Sequence, residues 1–274
     1  MANQAEKTTT NESAPGSQLA RGTATRLGML GMLATGAALG AACSNGGGVV
    51  LAPGPASAQT AVSDIDILNF ALNLEYLESE FYYYATTGQG IAAAGIGTSG
   101  TGTAGATTGG VKTTFTNSIT QAVALQITSD EGTHVTLLRS ALGNQAIAKP
   151  AIDLTAGGKY NFSSMNVFLA LSRAFEDTGV SAYSGAAPLI SSKEILQTAA
   201  QILTMETYHA SNVRLQIAQM GIPTTPTDSQ DVVPPPSGTD YFCDHGALGV
   251  VRSTAQVIAI VKPFFPNGLN GAIH

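Results

Sequence analysis

The chain has 274 residues, 44% of them hydrophobic and only 11% charged, with a net charge of −6. That is apolar material enough for a buried core, and too little positive charge for nucleic acid or an anionic membrane surface, so neither is expected as a partner. Cys43 and Cys243, two hundred residues apart, offer neither a metal spacing nor a disulfide framework.

Residues 1–26 are polar, with Arg21 and Arg26 the positive charges nearest to the apolar run that begins at Leu27. That run, Leu27 to Ala42, LGMLGMLATGAALGAA, is an uncharged stretch of sixteen residues. It falls short of the ~20 residues that span a bilayer and suits the apolar region of a signal peptide. Residues 1–58 are therefore read as an export leader and linker, with membrane contact only through the leader or a lipid anchor. The LGAAC sequence ending at Cys43 resembles a lipoprotein cleavage site, although Gly40 stands where an apolar residue is usual. Ala56-Ser57-Ala58 is a second small-residue site, and the two stay open. The mature chain is expected outside the cytoplasm, periplasmic or anchored, with a net charge near −7.

Residues 59–220 carry four helical patterns. The first starts at an N-cap, Ser63, with acidic residues in its first turn, and runs to about Ala85. Leu68, Leu72, Glu75 and Tyr82 share one stripe; Glu78 lies close to that face and rivals Glu75, whereas Glu80 points away. The stretch 88–110 is Gly, Ala and Thr without charge, and reads as a mobile loop. A second helix is expected from about Thr113 to Leu142, stopped by Gly143. Some twenty residues with Pro150 and a Gly-Gly pair then lead to a third helix, about Ser163 to Ala186. Twenty residues reach up to ~66 Å, more than the ~40 Å of a helix they must pass. The fourth helix spans about Ser191 to Met220, after a turn at Pro188. Residues 221–274 form a proline-rich extension expected to wrap the bundle, with a short helix within 247–261.

On these helices two motifs repeat. Glu131-Gly-Thr-His134 and Glu206-Thr-Tyr-His209 each place a carboxylate and an imidazole on one helix face, because three residues turn about 300°. Arg139 and Arg214 follow their histidines by five residues, some 140° round the helix, and are expected to form ion pairs between helices. Glu75 precedes Tyr82, and Glu176 precedes Tyr183, by seven residues, which returns to within ~20° of the same stripe. One Glu from each of two helices and Glu-x-x-His from each of the other two is the donor set of a dinuclear iron or manganese bundle. Zinc also suits such donors. Glu75, Glu131, His134, Glu176, Glu206 and His209 are thus the candidate metal residues. Tyr82 and Tyr183 are placed to hydrogen-bond to the opposite glutamates. Asp130, just before Glu131, is a candidate partner for a ligand imidazole; Met205 occupies the matching place on the fourth helix. His245 has no partner at ligand spacing.

The segments LNFALNLEYLESEFYYYA, SDEGTHVTLLRSALG, FLALSRAFEDTGVSAYSGAA and ILTMETYHASNVRLQI resemble the four core helices of the ferritin-like superfamily. More narrowly, they resemble exported ferritin-like proteins grouped with desiccation-related proteins. The resemblance implies an all-α fold: an antiparallel four-helix bundle with a long crossover between its second and third helices. It also implies a role in oxidative or desiccation stress, through metal oxidation or peroxide disposal, and is compatible with a homo-oligomer. A competing expectation is a structural stress protein that keeps the bundle without catalytic use of its metal site.

Overall fold

The computed structural model describes residues 62–274. Residues 1–58, read from the sequence as an export leader, with Cys43 and both candidate cleavage sites, lie outside the described residues. Four long helices, α1 (Asp64–Thr87), α2 (Ser118–Leu142), α3 (Met165–Ala186) and α4 (Lys193–Met220), pack as two close pairs, α1 on α2 and α3 on α4. The pairs face each other through α1 with α3 and α2 with α4. The link between α2 and α3, residues 143–164, is the long crossover of an antiparallel bundle. A short α5 (Thr254–Val261) packs on α3. Among the described residues, no helix is long and apolar enough to cross a membrane.

Caps set where the helices begin. Ser63 Oγ accepts from Asp66 N at 3.2 Å while Asp66 Oδ2 accepts from Ser63 N at 3.1 Å, a reciprocal capping box at the start of α1. Asp64 adds a tertiary role: its carboxylate accepts the amides of Ser191 and Ser192, each at 2.8 Å, tying the start of α1 to the turn before α4. Helix α2 starts five residues later than the sequence suggests. Asn117 caps it, accepting from Ile119 N at 2.9 Å and Thr120 N at 3.1 Å. Thr113 and Thr114 are not helical because their amides bond to Ala85 O (2.9 Å) and Ser163 O (2.8 Å).

The glycine-rich stretch, expected from its composition to be a mobile loop, has backbone partners in the crossover. Its strand β1 (Thr107–Thr108) pairs in parallel with β2 (Ile152–Asp153) of the crossover. Thr101 N bonds to Ala146 O at 2.9 Å, and Ala148 N bonds back to Thr101 O at 2.7 Å. The glycines make this possible: a Cβ at Gly100 would sit 2.2 Å from Ala146 O, and one at Gly105 would sit 2.2 Å from Ala151 N. The buried Lys149 then fastens both loops to α1. Its ammonium donates to Gly105 O (2.9 Å) and Thr107 Oγ1 (2.8 Å) and lies 3.4 Å from Glu80.

Between α1 and α3 the core is aromatic. Phe81 lies 4.9 to 5.3 Å, centroid to centroid, from Tyr82, Phe162, Phe168 and Phe175. Each such pair contributes about 0.5–1.5 kcal/mol beyond its buried area, and together they fix the spacing of the two helices that face across the bundle centre. The chain after α4 returns to this core at several points. Phe264 stacks edge-on at 4.9 Å from Phe175, Arg252 Nη1 donates to Ser181 Oγ at 2.9 Å, and Asn73 and Asn270 exchange two hydrogen bonds at 2.9 and 3.1 Å.

Candidate metal centre

Glu75, Glu131, Glu176 and Glu206 each lie within one residue of the middle of their helix, so the bundle brings all four to one level. All four are fully buried, and His134 and His209 nearly so. Ligand atoms of Glu75, Glu131, His134 and Glu206 lie within 4.8 Å of one another, and so do those of Glu131, Glu176, Glu206 and His209. Glu131 and Glu206 belong to both groups. Two overlapping four-donor sets that share two carboxylates fit a dinuclear site, in which Glu131 and Glu206 would be the donors common to both ions.

The hydrogen bonds sort the glutamates the same way. Tyr183 Oη donates to Glu75 Oε1 at 2.5 Å, and Tyr82 Oη donates to Glu176 Oε1, each tyrosine reaching across to the facing helix. That occupies one oxygen of Glu75 and one of Glu176 and leaves each residue's Oε2 turned to a histidine. Glu131 and Glu206 keep both oxygens free of hydrogen bonds. His134 Nδ1 lies 3.3, 3.6 and 3.2 Å from Glu75, Glu131 and Glu206, and His209 Nδ1 lies 3.1 and 3.3 Å from Glu131 and Glu176. None of these approaches has hydrogen-bond geometry. Eight buried polar atoms of these six residues therefore lack any hydrogen-bond partner among the described residues. Buried polar atoms are rarely left this way, and so many converging on one point are the mark of a cation's donors.

Asp130 lies beside His209, its Oδ2 3.2 Å from Nε2, and Gln126 Nε2 donates to its other oxygen at 2.8 Å. With Nδ1 turned to the glutamates, Nε2 is the nitrogen placed to donate a proton to Asp130. Two further neighbours border the donors, Gly179, which no motif flags, and Glu78, the rival of Glu75 in the sequence. Gly179, three residues after Glu176, leaves the space its Cβ would fill, 2.6 Å from Glu206 Oε2. Glu78 is buried, and its Oε1 would lie 3.2 Å from that same Cβ. Thus Glu75 stands in the donor group, and Glu78 is a fifth carboxylate alongside it.

Without a cation these groups hold protons. Burial pushes the Glu75 carboxyl up to about 7 from 4.5, with His134 opposing and Glu131 adding to the rise. Burial likewise raises Glu206 and Glu78, and nearby carboxylates add to both. Burial alone would lower His209, but Glu176 and Glu131 outweigh it and push the imidazole up to about 12; His134 is raised in the same way. Glu131 faces both imidazoles and is held below its ordinary value despite burial. The signs give a testable pH dependence. A carboxyl raised to about 7 loses its stabilisation as pH rises from 4.5 through 7, and a histidine raised to about 12 loses its own as pH rises from 6.5 onward. The Glu131 contribution disappears only in acid, below 4.5. Metal-free protein should therefore melt at progressively lower temperature from about pH 5 to pH 9. Metal-loaded protein should show the opposite trend, because bound ions displace those protons and bind more tightly as pH rises. Parallel melting series would check this, and identical slopes would contradict it.

The two arginines that follow the histidines diverge. Arg214 Nη1 pairs with Asp177 across the α3–α4 interface at 2.8 Å. Arg139 forms no ion pair among the described residues and instead donates to Tyr76 Oη at 2.5 Å and to Ile147 O at 3.4 Å. Here the expectation of an interhelical ion pair is corrected, since only the phenol and a crossover carbonyl lie within its reach. A third group of close donors, Asp177, Asp231 and Cys243, is already neutralised. Arg173 Nη1 lies 3.2 Å from Asp177 and 2.8 Å from Asp231, and a divalent ion there would meet two guanidiniums.

No curated protein matches the chain. A family model, Ferritin-like domain, matches residues 63–219, the stretch that holds all four helices and all six donors. With the bundle, the overlapping donor sets and a match over more than half of its length, this chain belongs to the ferritin-like domain family.

Proposed function

We propose that the protein is an exported ferritin-like protein whose dinuclear centre holds iron or manganese and serves in oxidative or desiccation stress, by oxidising metal or disposing of peroxide. The observation that carries the dinuclear part is the set of eight unpartnered, buried donor atoms on four glutamates and two histidines. Two divalent ions bring the positive charge that four carboxylates require, and carboxylate with imidazole favours iron or manganese. Such an ion pair supplies one-electron steps to a small oxygen species. The chain's own contribution is to orient the donors: Tyr82 and Tyr183 fix one oxygen each of Glu176 and Glu75, and Asp130 fixes the ring of His209. Export is supported by the apolar run of residues 27–42, and the stress role by the resemblance to desiccation-related proteins.

Purified protein loaded with Fe(II) or Mn(II) is expected to form ferric iron or consume hydrogen peroxide faster than free metal does. A His134→Ala, His209→Ala variant should not exceed free metal. Loaded protein that is stabilised yet no faster than free metal would favour the structural reading instead. For localisation, fractionation should place the chain outside the cytoplasm. Cys43→Ser should abolish incorporation of labelled fatty acid if lipid is the anchor; full-length soluble protein in the cytoplasm would contradict export.

A further inference from the structure

Helices α2 and α4 carry the same residue at several corresponding positions around the centre: Gln126 with Gln201, Ile127 with Ile202, Glu131 with Glu206, His134 with His209, Arg139 with Arg214. Among the positions that differ is the one just before the glutamate, where α2 has Asp130 and α4 has Met205. This difference has a structural consequence. His209 Nε2 is held by Asp130 at 3.2 Å, and Asp130 is itself held by Gln126 at 2.8 Å. Met205 offers a thioether and no anion, and among the described residues nothing hydrogen-bonds to His134 Nε2. His134 instead lines a surface cleft of about 270 Å³ between α2 and α4, walled also by Asp130, Thr133, Gln201 and Met205; His209 itself is not among its lining residues. Farther along the same helices, on the His209 side, the seam is closed. Thr120 Oγ1 donates to Gln216 Oε1 at 2.6 Å, beside the buried Ala124, Ile127 and Val213.

We propose that the two ion positions are inequivalent: the His209 position holds its divalent first-row cation tightly, and the His134 position is the exchangeable one, reached through the α2/α4 cleft. This rests on the dinuclear reading above. A carboxylate behind a ligating imidazole fixes the ring and makes it a stronger donor, and losing such a partner weakens metal binding about 10–100-fold. Only one of the two histidines has that partner. The same histidine lies on the closed side, while the other borders the open cleft, so affinity and access both separate the positions in the same direction.

Titration of metal-stripped protein with Co(II), followed by absorption and calorimetry, should show two steps separated by roughly 10–100-fold in affinity. A chelator should remove one ion much faster than the other. His134→Ala should keep the tight step, and His209→Ala should lose it. Asp130→Asn should weaken the tight step about tenfold and leave the second unchanged, whereas Met205→Asp should tighten the second. Circular dichroism and melting of each variant confirm that the bundle is intact; the gain expected of Met205→Asp cannot arise from misfolding. Two ions bound with one affinity, unmoved by Asp130→Asn and Met205→Asp, would overturn this inference and leave the dinuclear reading standing. Folded wild-type protein that takes up no Co(II) would overturn both.

Discussion

Stripping metal from the protein and then restoring Fe(II) or Mn(II) is expected to raise its melting temperature by about 10–20 °C. The size of the shift comes from mass action. Each ion that binds only the folded chain adds about 2.7 kcal/mol at a free concentration one hundred times its Kd, and for a domain of this size each kcal/mol moves the midpoint by about 2–4 °C. The cause is local. Four carboxylates share one buried volume, and without cations burial makes Glu75, Glu176 and Glu206 hold their protons more tightly, while the glutamates do the same for both imidazoles. The His134→Ala, His209→Ala variant loses the nitrogen donor of each set, and its melting should respond little to metal. Differential scanning calorimetry on both proteins decides the matter, and equal shifts would mean that the stabilising ions bind elsewhere.

The second large effect lies away from the centre. Asp177→Ala is expected to cost about 3–5 kcal/mol, seen as a fall of roughly 6–20 °C in melting temperature, with metal stoichiometry unchanged. Asp177 is buried on α3 between Arg173 and Arg214, at 3.2 and 2.8 Å, and Asp231 from the proline-rich extension caps Arg173 at 2.8 Å. Removing the central carboxylate leaves two buried guanidiniums facing each other with one acid between them. A surface ion pair lost in the same way costs less than about 1 kcal/mol, so a fall of only a degree or two would show that water reaches this network. The network also ties α3, α4 and residues 221–274 together: Arg214 donates to the carbonyls of Tyr241 and Asp240 at 2.9 and 3.0 Å, and Arg173 donates to Thr225 O at 2.8 Å.

The bundle was legible in the sequence because its helices announce themselves locally. Ser63 caps α1 and Gly143 stops α2, and Glu-x-x-His and Glu-x6-Tyr spacings are properties of a single helix. What the spacing could not decide was the choice between Glu75 and Glu78, which share a face within one turn; the neighbouring helix α2 places His134 against Glu75, and it is Glu75 that stands in the donor group. The glycine-rich stretch was misread because its partner lies some forty residues away in the crossover. A composition with little to bury in fact permits two backbones to touch at Gly100 and Gly105. The Arg173–Asp177–Arg214 network left one faint trace, a charged pair four residues apart in a helix whose one other charge is Glu176. Its other members come from α4 and the extension, which no local pattern joins. Gly179 is the same kind of case: it reads as an ordinary helix-weakening glycine until the Glu206 carboxylate is seen in the space beside it.

The central claim is that six side chains from four helices hold two ions, and metal stoichiometry tests it most directly. Protein purified, stripped, reloaded with Mn(II) and desalted should retain close to two ions per chain by elemental analysis. Its electron paramagnetic resonance spectrum should be that of two coupled manganese ions rather than isolated ones, because shared Glu131 and Glu206 bring the donor sets together. Retention of one ion or none by folded wild-type protein, or two uncoupled ions, or full retention after His134→Ala and His209→Ala together, would contradict the account.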